Sequence, residues 1–254
     1  MSFSVQGLFV HPVKSLRAQT TKALSLIPQR GVLGDRRFAL ARPKTVYDPN
    51  HPTWIGKHLL EAQVATPELA QFRADYADET LTVYDDTNRL RAQAHRTQGW
   101  GVIDGFFSDV LERPVRLIEA PPGGHLSDRQ EPFISLITTA SLRALEKELG
   151  APVDPRRFRA NLLIKTDTPF IERDWVGKTL TVGSAEMTVI MRIDRCCATH
   201  THPERGVYDM DILKVLRGTF QRRDFGLYAR VLEPRTIKKD DRVSLRVSPD
   251  DQPL

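Results

Sequence analysis

Residues 160–193 read ANLLIKTDTPFIERDWVGKTLTVGSAEMTVIMRI, and this stretch decides the fold class. Three short runs within it, residues 160–165, 180–182 and 186–193, are rich in apolar and β-branched residues. Segments that contain Gly, Pro and charged residues separate the runs, which is typical of strands joined by turns. The stretch therefore predicts consecutive strands rather than alternating strands and helices.

The same pattern extends outward in both directions. Further strands are predicted at residues 5–10, 22–27, 37–40, 80–84, 226–232 and 242–247, and the proline-containing stretch 43–54 is predicted as a loop. Only residues 98–111, 139–149 and 209–216 show helical spacing of apolar residues. Strands dominate, so we predict a mainly β (α+β) fold built on a β-barrel. The break at residues 121–124 (PPGG) predicts two domains, residues 1–120 and 121–254.

The composition excludes several classes of protein. The 254 residues carry 37 Lys and Arg against 32 Asp and Glu, a net charge of +5, and 40% are hydrophobic, as in ordinary globular chains. This modest positive charge fits an anionic ligand but not a dedicated nucleic-acid binder. No apolar run is long enough to span a bilayer and no leader pattern is recognised, so neither membrane insertion nor secretion is expected. The two cysteines are adjacent, which excludes a disulfide framework, and a cytoplasmic location is expected.

The segment richest in reactive side chains is residues 192–206, RIDRCCATHTHPERG. A neighbouring guanidinium favours the thiolate form of a cysteine, so Cys196 beside Arg195 is expected to serve as a nucleophile or a soft-metal ligand. Three interpretations stay open on these residues alone. The first is a packed cysteine with surface histidines, the second is a zinc site, and the third is a thiolate on a soft metal whose other ligands come from a cofactor.

Basic residues cluster at the ends of the predicted strands. HPVKS at residues 11–15 ends one strand, GVLGDRRF at residues 31–38 leads into another, and RFRANL spans residues 157–162. Arg binds phosphate in a bidentate manner and Lys as a point charge, so together these residues could hold a phosphate or a polar heterocycle. The sequence has no glycine-rich phosphate loop of the Walker or dinucleotide type, which disfavours a nucleotide-binding α/β enzyme.

Five ordered motifs resemble the MOSC family, which is related to the C-terminal domain of molybdenum-cofactor sulfurases. HPVKS resembles the family's Y-P-V-K-S, GVLGDRRF its G-L-x-x-D-R-x-[WF], and RFRANL its R-F-R-P-N-[IL]. RCCATHTHPERG resembles R-C-x-x-T-x-V-D-P-x-T-G, and FGLY resembles F-G-x-Y. Within the family the chain is similar to bacterial relatives of the mitochondrial amidoxime-reducing component. The resemblance implies a β-barrel MOSC domain packed with a smaller β-rich N-terminal domain, with few helices.

The resemblance also implies a set of site residues. It makes Cys196, rather than Cys197, the catalytic thiolate ligand of molybdenum, because the motif's Thr and Pro fall at Thr199 and Pro203. The residues implied to bind the molybdopterin part of the molybdenum cofactor are Lys14, Ser15, Arg36, Asp128, Arg159, Asn161, Asp194, Arg195 and Tyr228. The chain departs from the family where Thr201 and His202 replace Val-Asp, and where residues 54–57 (WIGK) replace T-A-R-Q.

The function implied is a molybdenum-dependent oxidoreductase that reduces N-hydroxylated compounds such as amidoximes, hydroxylamines and N-hydroxylated bases. Both cysteines lie in one dipeptide, which leaves no set for an iron–sulfur cluster, so electrons are expected from a separate ferredoxin, flavodoxin or cytochrome-type reductase. The alternative is a carrier that holds the molybdenum cofactor, or a persulfide on Cys196, and passes it on without turnover of its own.

Overall fold

The structure is a computed structural model, and it describes residues 3–48, 50, 51, 53–121 and 124–246. The strands in these residues are β1 (Phe3–Val10), β2 (Gln19–Thr21), β3 (Ala23–Ile27), β4 (Gly31–Val32), β5 (Phe38–Ala41), β6 (Arg73–Ala77), β7 (Thr80–Tyr84), β8 (Leu90–His95), β9 (Arg116–Glu119), β10 (Ile134–Thr138), β11 (Leu162–Lys165), β12 (Thr179–Val182), β13 (Ala185–Asp194), β14 (Asp224–Val231), β15 (Arg235–Lys238) and β16 (Arg242–Arg246). The α-helices in the same residues are α1 (Gly101–Val110), α2 (Thr139–Leu149) and α3 (Ile212–Gly218).

Seven strands form a closed barrel. Their order is β11–β10–β14–β13–β12–β16–β1, and β1 pairs with β11 to complete the ring. The β10–β11 pair is parallel and the other pairs of the ring are antiparallel. Side chains alternate across the barrel wall, so that Leu180 and Val182 of β12 are buried while Thr179 and Thr181 are only half-buried. The interior is apolar, and the fully buried Trp175 lies 5.3 Å from Phe3 between ring centroids.

The N-terminal half forms a smaller β-rich unit beside the barrel. It contains the meander β6–β7–β8, the pair β5–β9 and the helix α1. Ile103 and Phe107 of α1 pack with Phe38 of β5 and with Leu81 and Val83 of β7 in one buried cluster. This cluster is separate from the barrel core, so each half of the chain has its own apolar interior.

Strand pairing also crosses between the two halves. β1, the first strand of the chain, lies in the barrel between β16 and β11, and β15 from the C-terminal half pairs with β3. The predicted division at residues 120 and 121 stays a prediction, and Pro122 and Gly123 at the predicted break lie outside the described residues. The crossing strands mean that neither range contains all the backbone partners of its own sheets.

The predicted fold class is confirmed: the described chain is mainly β, contains a closed barrel and has few helices. The predicted helix at residues 139–149 has the same bounds as α2, because Gly150 adopts a left-handed conformation that ends it (φ 68°). The last predicted strand reaches Val247, which lies outside the described residues. β10 was not predicted; all five of its residues are buried, so it shows no alternation.

Candidate functional site

A pocket of about 160 Å³ lies where the N-terminal half meets the barrel. Nine of the ten predicted site residues line it: Lys14, Ser15, Arg36, Asp128, Arg159, Asp194, Arg195, Cys196 and Tyr228. These residues come from both predicted domains, so the pocket depends on how the two halves pack.

Two motifs of the N-terminal half meet at one end of the pocket. The backbone N–H of Lys14 donates to the carbonyl oxygen of Phe38 at 2.7 Å, and that of Arg36 donates to the carbonyl oxygen of His11 at 2.6 Å. These bonds hold HPVKS, which follows β1, against GVLGDRRF, which precedes β5. Lys14, Ser15 and Arg36 therefore reach the pocket from a backbone that is fixed on both sides.

Three of the pocket residues have a left-handed backbone. The φ angles are 72° at Ser15, 49° at Arg36 and 50° at Arg159. A residue with a Cβ atom is disfavoured in this conformation, and such strain concentrates at binding and catalytic sites. The coincidence of all three in one pocket is an observation independent of the sequence motifs, and it makes this pocket the candidate functional site.

Buried cations line the inner end of the pocket. The guanidinium of Arg159 donates to the carbonyl oxygen of Leu16 at 2.7 Å, and that of Arg195 donates to the carbonyl oxygens of Phe158 and Phe225 at 2.8 and 2.7 Å. The Nη2 atoms of Arg159 and Arg195 are buried and have no hydrogen-bond partner among the described residues. Two unpaired guanidinium N–H groups in one pocket fit an anionic ligand such as a phosphate.

Burial also changes the titration of these cations. It lowers the pKa of Arg159 to about 9, with a further contribution from Arg36, and it lowers the pKa of Arg195 to about 10. Burial likewise lowers the pKa of Lys14, although the carboxylate of Asp128 acts in the opposite direction. Both arginines stay charged at neutral pH, and an anion bound beside them would offset the repulsion between Arg159 and Arg36.

Lys14 is held on two sides. Its ammonium forms an ion pair with Asp128 and donates to the carbonyl oxygen of Leu126 at 3.3 Å. Asp128 is itself exposed and lies at the outer part of the pocket. The predicted residues Lys14 and Asp128 are thus direct partners of one another.

His11 supports Arg36 from behind the pocket, a role that the sequence did not indicate. The carboxylate of Asp35 accepts from the backbone N–H of His11 at 2.7 Å, lies 3.3 Å from its Nδ1 atom and pairs with the guanidinium of Arg36. Burial, with Arg159 and Arg36 nearby, lowers the pKa of His11 to about 3. His11 is therefore neutral at pH 7, and its Nδ1–H can donate to Asp35, which orients Arg36.

Cys196 and Cys197 have different surroundings. Cys196 follows β13, is exposed and lines the pocket, whereas Cys197 is half-buried and packs in the cluster that contains α3. The Oγ1 atom of Thr199 donates to the carbonyl oxygen of Cys196 at 3.0 Å and so fixes the turn in which the thiol lies. The interpretation as a packed cysteine fits Cys197, while the thiol of Cys196 is available to a ligand in the pocket.

The two nearby histidines do not line the pocket. The Nδ1 atom of His202 accepts from the backbone N–H groups of Glu204 and Arg205 at 3.2 and 3.1 Å, and the Nε2 atom of His200 accepts from that of Leu213 at 3.3 Å. Burial lowers the pKa of both imidazoles. Both histidines therefore cap backbone turns in their neutral form. The part of the chain that the structure describes contains no group of three or more His, Cys, Asp or Glu that could hold a metal ion.

Asn161 is the one predicted site residue that does not line the pocket. Its Oδ1 atom accepts from the backbone N–H and the Oγ atom of Ser135 at 3.1 and 3.0 Å, and its Nδ2 atom donates to the carbonyl oxygen of Phe9 at 3.3 Å. It ties β1, β10 and the start of β11 together behind the pocket, where Ser135 forms part of the wall. These hydrogen bonds indicate that Asn161 supports the wall of the pocket.

Several lining residues were not predicted from the sequence. They include Lys57, Ala62, Gln63, Val64, Ser127, Arg129, Phe133, Ser135, Arg157 and Thr199. Lys57 lies in the stretch that departs from the family pattern, and Arg157 and Thr199 lie within the quoted motifs. The sequence therefore offered a reason to predict these three residues. Ser135 lies in β10, which was not predicted, and the others come from segments whose composition resembles that of ordinary turns.

Comparison with known proteins identifies two family matches. The MOSC N-terminal β-barrel domain matches residues 2–114, and the MOSC domain matches residues 123–244. The two matches leave only short segments at the ends and around the predicted break.

Two curated relatives carry the same name. The molybdenum cofactor sulfurase of Oryza sativa subsp. japonica is 23% identical over an aligned length of 250 residues, and the match covers 80% of this chain and 29% of that protein. The molybdenum cofactor sulfurase of Danio rerio is 24% identical over an aligned length of 233 residues, and the match covers 77% of this chain and 28% of that protein. The chain thus spans less than a third of the length of these relatives.

Among solved structures, the YuaD protein from Bacillus subtilis superimposes with a TM-score of 0.48 and 11% identity, over 96% of both chains.

None of the α-helices in the described residues combines the length and the apolar character needed to cross a membrane.

Proposed function

We propose a function from one premise: this chain belongs to the MOSC family, with a MOSC N-terminal β-barrel domain followed by a MOSC domain. We propose that the pocket binds a molybdenum cofactor and that the protein is a molybdenum-dependent oxidoreductase. Two curated relatives are molybdenum cofactor sulfurases, which supports a function related to this cofactor. The substrates would be N-hydroxylated compounds such as amidoximes, hydroxylamines and N-hydroxylated bases.

The observation that carries this proposal is the chemistry of the pocket. An accessible thiol, Cys196, lies in the same pocket as two buried guanidinium groups whose Nη2 atoms find no partner in the part of the chain that the structure describes. A molybdopterin has an anionic phosphate for such cations, and its metal is soft enough to take a thiolate ligand. The residues present therefore fit this cofactor.

The cations and the thiol of the pocket have separate tasks in this proposal. Arg159, Arg195 and Lys14 would hold the anionic part of the cofactor, and the Cys196 thiolate would be the protein's ligand to molybdenum. When bound, the cofactor supplies the redox chemistry of oxygen removal. Burial of the inner cations keeps water away from the bound anion and strengthens the charge interactions.

The overall reaction needs electrons that the protein does not itself carry. Reduction breaks the N–O bond of the substrate and consumes two electrons and two protons; the oxygen leaves as water and the nitrogen gains a hydrogen. We propose a separate donor, a ferredoxin, a flavodoxin or a cytochrome-type reductase, whose acidic surface suits the net charge of +5. Donor-dependent reduction should slow as salt is added, and a rate independent of salt contradicts this docking.

A carrier function is the alternative. The accessible thiol of Cys196 beside Arg195 suits a persulfide as well as a metal, and the named relatives are sulfurases. A carrier would release its cofactor or sulfur once per binding event and would leave N-hydroxylated compounds unchanged.

Steady-state reduction of benzamidoxime separates the two functions. The holoprotein is supplied with reduced methyl viologen as the electron donor, and benzamidine is measured over time. Many turnovers per protein, lost in Cys196→Ala, support the oxidoreductase. Transfer to an acceptor of molybdopterin, or of the outer sulfur of the persulfide with regeneration of the Cys196 thiolate, at about one per chain and with no benzamidine formed, supports the carrier.

A further inference from the structure

The charged residues of the pocket separate into two groups by burial. Lys14 is 6% exposed, and Arg36, Arg159 and Arg195 are held by hydrogen bonds or ion pairs at the inner end. Lys57 and Arg129, in contrast, are both exposed and lie at the outer part of the same pocket. The inner group serves an anion inside the protein, so the outer group is available to a molecule that enters from solvent.

The two outer cations have no ion-pair partner within the described residues. Two of the acidic side chains around them are already paired: Asp128 binds Lys14, and Glu131 binds Arg230. Asp194 remains, on the strand that leads to Cys196. At the outer part of the pocket, which we call its mouth, the charges that have no ion-pair partner within the described residues therefore sum to a positive value.

Lys57 lies on a fixed segment. It begins the short 3₁₀ helix Lys57–Leu59, and the carbonyl oxygen of Leu59 accepts from the backbone N–H of Arg42 at 3.0 Å and from the Oγ1 atom of Thr45 at 2.6 Å. Lys57 therefore presents its ammonium from a defined place at the mouth, and only its own side chain has to be ordered when it binds an anion.

Apolar and aromatic groups line the same pocket as the outer cations and Cys196. Val64, which is 40% exposed, and Ala62 line one part of the pocket. The ring of Tyr228 lies 5.5 Å from that of Phe133 and 5.6 Å from the guanidinium carbon of Arg129. A flat apolar body fits beside such groups.

From this arrangement we propose that the protein prefers anionic N-hydroxylated substrates, with Lys57 binding a carboxylate placed on an aromatic body away from the N–OH group. The proposal rests on the oxidoreductase function above. Lys57 is then a specificity-determining residue that acts on substrate binding and leaves the reacting atoms to the rest of the site.

The test compares benzamidoxime with 4-carboxybenzamidoxime as substrates of the holoprotein, with reduced methyl viologen as the donor. The carboxylated compound should have the lower KM. In Lys57→Gln its KM should rise roughly fivefold, the size expected for one exposed ion pair, while kcat and the KM of benzamidoxime stay unchanged. Added salt should raise only the KM of the carboxylated compound.

Lys239→Gln is the matched control, since Lys239 is also exposed but does not line the pocket. It should leave both KM values unchanged. Equal KM values for the two compounds in the wild type, or a Lys57→Gln variant that affects both compounds alike, overturns the proposal while the oxidoreductase function stands.

A second measurement separates failure of this proposal from failure of the proposed function. Benzamide and 4-carboxybenzamide lack the N–OH group, so their binding to the holoprotein can be followed by titration calorimetry without turnover. If neither amidoxime is reduced, the oxidoreductase function is wrong. Tighter binding of the carboxylated amide, lost in Lys57→Gln, would still support an anion site at Lys57, and equal binding would exclude it.

Discussion

At the scale of single residues, the pocket is built from conformations and charges that oppose folding. Ser15, Arg36 and Arg159 adopt left-handed backbone angles, each of which costs about 1–2 kcal/mol in a residue with a Cβ atom. Arg159 and Arg195 each bury an Nη2 atom that has no hydrogen-bond partner among residues 3–48, 50, 51, 53–121 and 124–246. Binding of an anionic ligand would offset the second cost but not the first, so the two can be tested separately.

The strain at Ser15 predicts an unusual order of stability for two variants. Ser15→Ala and Ser15→Gly both remove the hydrogen bond from the hydroxyl to the carbonyl oxygen of Glu61. Only glycine relieves the left-handed strain, so we expect Ser15→Gly to be the more stable variant by about 1 kcal/mol. Urea denaturation measures this difference, and an alanine variant that is equally or more stable would show that the backbone is not strained.

His11 predicts a loss of stability in mild acid. Its pKa is about 3 in the folded protein, below the ordinary value of 6.5, so between these values only the unfolded chain binds the proton. Its contribution is complete above pH 6.5 and decreases as the pH falls. We expect the wild type to lose about 2 kcal/mol more than His11→Phe between pH 7 and pH 5.

Denaturation of both proteins at the two pH values checks this prediction. Titration of Asp35 does not contribute between pH 7 and pH 5, because a carboxyl group with a lowered pKa changes the stability only below the ordinary value of 3.8. The other histidines are present in both proteins, so their contributions cancel. Parallel losses in the wild type and His11→Phe would mean that His11 is charged or accessible in the folded state.

At the scale of elements, the turn at residues 201–208 joins the loop of Cys196 to the N-terminal half. His202 caps the turn, and its backbone N–H donates to the carbonyl oxygen of Val207 at 2.7 Å. The Tyr208 hydroxyl donates to the carbonyl oxygen of Val64 at 2.9 Å. The turn therefore holds the wall that carries Cys196 against the wall that carries Val64. His202, which stands where the family motif has Asp, thus caps this turn.

At Gly206 the turn packs closely against the backbone of Pro67 and Glu68. A Cβ atom at Gly206 would lie 2.8 Å from the Cα atom of Glu68 and 2.9 Å from the carbonyl oxygen of Pro67, both backbone atoms. Gly206→Ala should therefore destabilise the protein by more than backbone strain alone. Gly150→Ala is the control, since Gly150 has a similar φ of 68° and a Cβ atom there would meet nothing within 4 Å. Equal thermal shifts in the two variants would contradict the close packing of the turn.

Elements with a clear local signal were predictable from the sequence, and the others depend on tertiary contacts. α2 was predictable because its leucines share one face and Gly150 ends it. β10 is buried along its whole length and β15 is exposed at three of its four positions, so neither alternates. Lys57 lies in the stretch where the sequence departs from the family pattern, but only the packing of the two halves brings it into the pocket of Cys196.

At the scale of the whole molecule, the barrel and the N-terminal half depend on each other. β1 supplies Val5 and Leu8 to the barrel core and bridges β16 and β11, although it is the first strand of the N-terminal half. We expect residues 121–254 expressed alone to lack a cooperative thermal transition, because the barrel would have an open edge. Co-expression with residues 1–120 should restore the transition, as monitored by circular dichroism. A native transition in residues 121–254 alone would contradict this dependence.

The central claim is that this pocket binds molybdenum through Cys196, and metal and pterin analysis of protein purified from a host that makes molybdenum cofactor tests it most directly. We predict close to one molybdenum and one pterin per chain in the wild type and in Cys197→Ala, the matched control whose thiol does not line the pocket. In Cys196→Ala the molybdenum should be lost. A wild type that contains zinc or no metal, or a Cys196→Ala variant that retains its molybdenum, would contradict the assignment.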